Sequence, residues 1–166
     1  VVLPESITRI GSNALQECNA ITSITLPANV TTVDSYAFDG MHSLSTFKVA
    51  EGSKLGTLAD YALRSTNSLK SIDLTNAEQL SDIGTSAFRN SGIASIALPG
   101  AIQTVGNYAF TSCASLKEIT LSARTLGDYA FSSCSALNTI KLPNATTLNK
   151  RTFDGCTALK SISMPN

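Results

Sequence analysis

The stretch Thr31–Leu44 reads TTVDSYAFDGMHSL, Gln103–Leu116 reads QTVGNYAFTSCASL, and Arg124–Leu137 reads RTLGDYAFSSCSAL. One phrase written three times marks a repeat architecture. Working outward, a second phrase of the type I-x-L-P separates the copies. It begins at Val1, Ile24, Phe47, Ile72, Ile96, Ile119, Ile140 and Ile162, at intervals of 23, 23, 25, 24, 23, 21 and 22 residues. The chain therefore divides into seven units, 1–23, 24–46, 47–71, 72–95, 96–118, 119–139 and 140–161, with the first strand of an eighth at 162–166. It opens in mid-pattern, without an initiator Met, and reads as a fragment of a longer chain. Length changes lie between the L-P and the Y-A-F, where AEGSKL (Ala50–Leu55) adds residues, and in FRNSGI (Phe88–Ile93), which lacks one. Loops tolerate such changes.

Each unit has a readable grammar. SLSTFKV places apolar side chains at Leu44, Phe47 and Val49, as a short strand with one inward face requires. Proline follows in five copies, at Pro4, Pro27, Pro99, Pro143 and Pro165, and ends the strand because it lacks an N–H. Next come apolar residues three apart, such as Val30 and Val33 or Ile102 and Val105. A small polar residue then precedes a compact apolar turn, YAF or its variants. Asp34 and Asp128 stand where an N-cap would sit, so the phrase predicts one helical or 3-10 turn. A unit of some 23 residues cannot bury its own apolar face, whereas stacked copies cover one another.

The combination L-x-x-I-x-L-P … I-G-x-x-A-F-x-x-C resembles the BspA-type leucine-rich repeat along the whole chain. Units three and four depart from it, with Leu63 for Phe, Thr66 and Ser91 for Cys, and no proline after the fourth strand. The resemblance implies an α/β repeat solenoid. It would be a right-handed leucine-rich-repeat superhelix with a parallel β-sheet on one face and short helical or 3-10 turns on the other. At about 4.8 Å per strand, seven units span roughly 34 Å. A parallel β-helix is the alternative solenoid, and the helical spacing read in Y-A-F-x-x-C argues against it.

Composition narrows the function. Twelve basic and twelve acidic residues give zero net charge, unlike a nucleic-acid binder. No apolar run approaches the ~20 residues of a membrane span, so this segment is not expected to insert directly into a membrane. No spacing suits a cofactor or metal. Cys18, Cys113, Cys134 and Cys156 each lie three residues after the Leu or Phe of the turn, one equivalent site, and read as buried, unpaired small side chains. Tyr36, Tyr61, Tyr108 and Tyr129 share another site, as ring covers of the neighbouring unit or as an aromatic ladder for sugar or peptide. His42, the single histidine, falls in a loop with no catalytic partner, and Asp34, Asp60 and Asp128 read as caps rather than calcium ligands. Asn29 and Asn144 begin the glycosylation sequons NVT and NAT.

No catalytic constellation emerges, so an enzyme is not expected. The surface left for a partner is the outward strand face, with Thr25, Lys48, Asp73, Glu118, Thr120 and Lys141 as the candidate contact residues. Its charges vary from unit to unit, which suits many weak contacts to an extended ligand. By resemblance, the expected role is a non-catalytic interaction module of a cell-surface or secreted protein, in adhesion or ligand binding. Its partner would be a protein, extracellular matrix or a surface glycan. The alternative is a structural building block of a surface layer or extracellular filament, assembling with its own kind.

Overall fold

The computed structural model describes residues 1–164; Pro165, the proline expected to close the eighth strand, lies outside the described residues. Thirteen short strands run through it. They are β1 Arg9–Ile10, β2 Ser23–Leu26, β3 Thr32–Val33, β4 Thr46–Val49, β5 Thr57–Leu58, β6 Ser71–Asp73, β7 Asp82–Ile83, β8 Ser95–Ala97, β9 Thr104–Val105, β10 Glu118–Thr120, β11 Thr125–Leu126, β12 Thr139–Lys141 and β13 Ser161–Ser163. All pairings are parallel. The I-x-L phrase supplies one wall, with Ile24, Leu26, Phe47 and Val49 buried and the alternate residues outward. This alternation makes the strand face a polar surface over an apolar core.

The chain is a parallel β-solenoid of about seven turns, and two expectations are corrected. First, there is a second sheet, ordered β1-β3-β5-β7-β9-β11, where spacing alone pointed to apolar residues three apart. Each of its strands is two residues long and buries only the second, as in Thr32–Val33 and Thr104–Val105. Thr at the outward position of β3, β5, β9 and β11 favours the extended backbone.

Second, no helix and no 3-10 turn occurs among the described residues. The YAF segment is two tight turns in succession, as in Ala37 N–H to the Asp34 carbonyl and Asp39 N–H to the Tyr36 carbonyl, each at 3.2 Å. Two residues four apart adopt positive φ in every unit: Asn13 and Glu17, Tyr36 and Gly40, Tyr61 and Ser65, Ser86 and Asn90, Tyr108 and Ser112, Tyr129 and Ser133, Arg151 and Gly155. Left-handed residues interrupt a right-handed helix, which requires negative φ throughout. Between the kinks, alternate N–H groups donate to the next unit: Tyr36 to Asp60, Phe38 to Ala62 and Gly40 to Arg64. The same three rungs recur from Tyr108, Phe110 and Ser112 to Asp128, Ala130 and Ser132. Stacking thus satisfies backbone groups that a helix would have satisfied internally.

With no helix to cap, the acidic residues act between units. Asp34 Oδ2 accepts from Arg9 Nε at 2.7 Å, Asp60 Oδ1 from the Thr85 amide at 2.7 Å, and Asp128 Oδ1 from the Lys150 amide at 3.2 Å. Behind the turns the phenylalanines stack ring on ring, Phe88 on Phe110 at 5.2 Å and Phe110 on Phe131 at 5.1 Å.

The four thiols are free, but only Cys113 and Cys134 are buried; Cys18 and Cys156 are half-buried, because end units have a neighbour on one side only. Each of the last three Sγ atoms donates to the Phe carbonyl of the preceding unit, Cys113 to Phe88 at 3.1 Å, Cys134 to Phe110 at 3.0 Å and Cys156 to Phe131 at 3.0 Å. Contact with Cys113 and Cys156, together with burial, pushes the Cys134 thiol far above its ordinary value. Since the thiolate is the reactive form, a thiol reagent should modify Cys18 and Cys156 first. Cys113 and Cys134 should react only as the chain unfolds, and denatured protein should show all four. Equal rates for the four in the folded state would contradict this packing.

Candidate functional site

Parallel register lines the outward side chains up in rows. One row runs Thr25, Lys48, Asp73 and Ala97 across β2, β4, β6 and β8, and continues as Thr120, Lys141 and Ser163 across β10, β12 and β13. The adjoining row contains Ser95, Glu118 and Thr139. The structure thus places Thr25, Lys48 and Asp73 in one row of the first sheet, Thr120 and Lys141 in the equivalent row of the second, and Glu118 in the row beside it. Lys48 stands directly opposite Asp73. The Asp73 carboxyl is held below its usual range by the Thr75 hydroxyl at 2.6 Å and the Thr75 amide at 2.9 Å, so the row carries its negative charge down to low pH.

The rows are interrupted once. The strand wall is two sheets, β2-β4-β6-β8 and β10-β12-β13, with no ladder between β8 and β10. The Lys117 amide still donates to the Ala94 carbonyl at 3.3 Å and closes one end of the seam. Beyond it the strands part around a cleft of about 400 Å³, whose lining includes Ile96 and Leu98, with Glu118, Thr120 and Lys141 on the far side. Ile96 is half-buried, whereas its equivalents Ile24, Phe47, Ile72, Ile119 and Ile140 are buried. The second sheet runs through this level unbroken, so the opening is confined to the strand face. The loop that leads into β8 is the short one of the fourth unit. Phe88 and Ile93 are five residues apart, where Phe110 and Leu116 are six apart. This tighter path delivers β8 to its pairing with β6. Sequence reasoning noted the missing residue as a loop variation, but did not foresee the break in the sheet.

Tyr36 and Tyr61 stack at 4.6 Å, and Tyr108 and Tyr129 at 5.0 Å, so the tyrosines form two pairs separated by Ser86 rather than one ladder. Asn29 Nδ2 donates to the Glu5 carbonyl at 3.1 Å and Asn144 Nδ2 to the Ser122 carbonyl at 3.0 Å, each tying its unit to the preceding one. A glycan on either amide would use one of its two N–H groups. His42 Nδ1 lies 3.0 Å from the Ser65 carbonyl and 2.6 Å from Asn67 Oδ1, so the loop histidine holds the next unit. No group of three metal-ligating side chains occurs among the described residues, and no helix there is long and apolar enough to cross a membrane.

Six copies of the BspA-type leucine-rich repeat match residues 1–100 and 81–166, together the full length. The chain belongs to this family. No curated protein is a match to it. Among solved structures, a leucine-rich repeat protein from Bacteroides ovatus is similar, with 28% identity and a TM-score of 0.89 over 99% of this chain and 45% of that one. A leucine-rich cell surface protein from Faecalibacterium prausnitzii shares the fold, at 24% identity and a TM-score of 0.66, covering 97% of this chain and 52% of that one. So does the pneumococcal vaccine antigen PcpA, at 20% identity and a TM-score of 0.67, covering 99% and 60%. This BspA-type segment therefore spans between 45% and 60% of the length of these relatives.

Proposed function

We propose that this BspA-type segment is a non-catalytic protein-interaction module of a cell-surface or secreted protein. In this reading it adheres to a protein partner through the strand face, and the seam between β8 and β10 is the centre of contact. The observation that carries the reading is the seam itself. It offers half-buried apolar groups, Ile96 and Leu98, inside a polar rim that includes Glu118 and Lys141. An apolar centre within a polar rim is the anatomy of a protein interface. Elsewhere, apart from the exposed Val2 beside Thr25 at its open end, the face offers exposed polar contacts, worth at most about 1 kcal/mol each. The surface location is supported by family membership and by the description of the Faecalibacterium relative as a cell surface protein.

Thr120→Trp tests this directly, since the outward Thr120 lines the cleft and a bulky ring there would fill it. The probes are immobilised extracellular-matrix proteins, with binding followed by interferometry. Thr120→Trp is expected to weaken binding about tenfold, equivalent to ~1.4 kcal/mol, with little change in melting temperature. Lys150→Glu, on the tyrosine-bearing side, is expected to leave binding unchanged. Retained binding in the first variant and loss in the second would place the interface on the other face.

A further inference from the structure

Arg64 and Arg89 occupy one equivalent position, directly after the turn's Leu63 and Phe88, where the other units carry Gln16, Asp39, Thr111, Ser132 and Asp154. They are the only two arginines at this position, and they fall in adjacent units. Arg64 is held in place. Its Nε meets Asp39 Oδ1 and its Nη2 meets Asp39 Oδ2, both at 2.8 Å, and the guanidinium lies over Tyr36 and Tyr61 at 5.4 and 5.2 Å. Asp39 is itself only 3% exposed and also accepts from Gln16 Nε2 at 3.0 Å. This fork uses two of the five guanidinium N–H groups and leaves three. Arg89 lies 6.0 Å from the Tyr108 ring centre and has no carboxylate partner among the described residues.

Between the two arginines is a pocket of about 320 Å³, completed by Ser65, Asn90 and Ser112. No carboxylate and no apolar side chain lines it. Ser65, Asn90 and Ser112 sit at the second left-handed kink of three successive units. Their amides are already spent on rungs to Arg89, Thr111 and Ser132, each at 2.8 Å. What they present is a row of hydroxyl and amide side chains at the spacing of the turns. Asp39 balances Arg64, so Arg89 leaves the pocket with one surplus positive charge in a chain of zero net charge.

We propose that this pocket binds the oxyanion of an acidic saccharide, a sulfate ester or a uronate. Two guanidinium groups, one anchored and one free, suit a sulfate or carboxylate held by charge-assisted hydrogen bonds. The hydroxyl and amide rim suits the ring hydroxyls that accompany the charge in a sugar. An aspartate or glutamate of a peptide brings an alkyl stem instead, and the pocket has no apolar wall to receive one. The site lies on the turns, away from the strand face, and is independent of the protein interface proposed above.

The test is calorimetric titration of the intact chain with an acidic peptide and with three oligosaccharides of equal length: a sulfated uronate, a non-sulfated uronate and a neutral one. Binding of either acidic sugar, weakened by salt and absent for the neutral one, is expected. The two acidic arms distinguish sulfate from carboxylate as the recognised group. Arg89→Gln should weaken that binding about tenfold, whereas Lys150→Gln, an equal charge change outside the pocket, should not. Equal weakening by both variants, binding of the neutral sugar, no binding of either acidic sugar, or equal affinity for an acidic peptide would each overturn the assignment.

Discussion

Phe110→Ala is expected to destabilise the chain by about 3–5 kcal/mol, as large core truncations do. Phe110 is fully buried and is stacked on both sides, by Phe88 at 5.2 Å and Phe131 at 5.1 Å with rings within 7° of parallel. Its removal leaves a void in the middle of the array and takes a partner from two further rings. The same change at Phe153 should cost clearly less. That ring is half-buried and stacks on one side only, at 5.8 Å and 18° from parallel. Urea unfolding of the two variants measures the difference. Equal losses would mean that the units do not depend on nearest neighbours, contrary to the logic of a stacked array.

Gly92→Ala is expected to cost about 3 kcal/mol, at the upper end for an added methyl group in a tight site. A Cβ at this position would lie 1.9 Å from the Asn67 carbonyl oxygen and 2.7 Å from its carbon. Both are backbone atoms of the preceding unit, so no side chain can swing away to relieve the clash. The Gly92 amide donates to the Thr66 carbonyl at 3.1 Å, so the two backbones are drawn together where the glycine permits it. Gly100→Ala is the control, since a Cβ there meets nothing within 4 Å and should change stability by no more than about 0.5 kcal/mol. Thermal unfolding of the two variants side by side separates close backbone approach from the general effect of losing a glycine. A neutral Gly92→Ala would show that the fourth unit does not follow this short path.

The turn is where reading and structure diverge most. YAF-x-x-C has apolar residues at helix-like spacing, and Asp34 stands where a cap belongs. Yet Gly40, Asn90 and Gly155 recur four residues after the Tyr site, and Asn13 occupies the Tyr site itself. Glycine and asparagine are the residues that enter the left-handed region most readily, so the sequence did carry a signal against a helix. The tyrosines concealed it, because an aromatic residue adopts positive φ only where its surroundings hold it there. Here the holding comes from the neighbours: the Tyr36 amide bonds to Asp60 and its ring stacks on Tyr61. The second sheet was hidden for a related reason. A two-residue strand such as Thr57–Leu58 is too short to show alternation, and it exists only because adjoining units supply its hydrogen bonds.

By itself the sequence determined the period, the inward residues of the I-x-L strands, the equivalent positions of Cys, Tyr and Phe, and the family. All of these follow from local pattern repeated in register, because each copy must cover the next. Only the tertiary structure decided how the copies meet. It paired Arg64 with Asp39 across units, left Arg89 without a carboxylate partner among the described residues, and broke the strand wall between β8 and β10. Those outcomes depend on distances between residues some 20 to 25 positions apart. Such distances are set by the packing of whole units, and no single unit's sequence contains them.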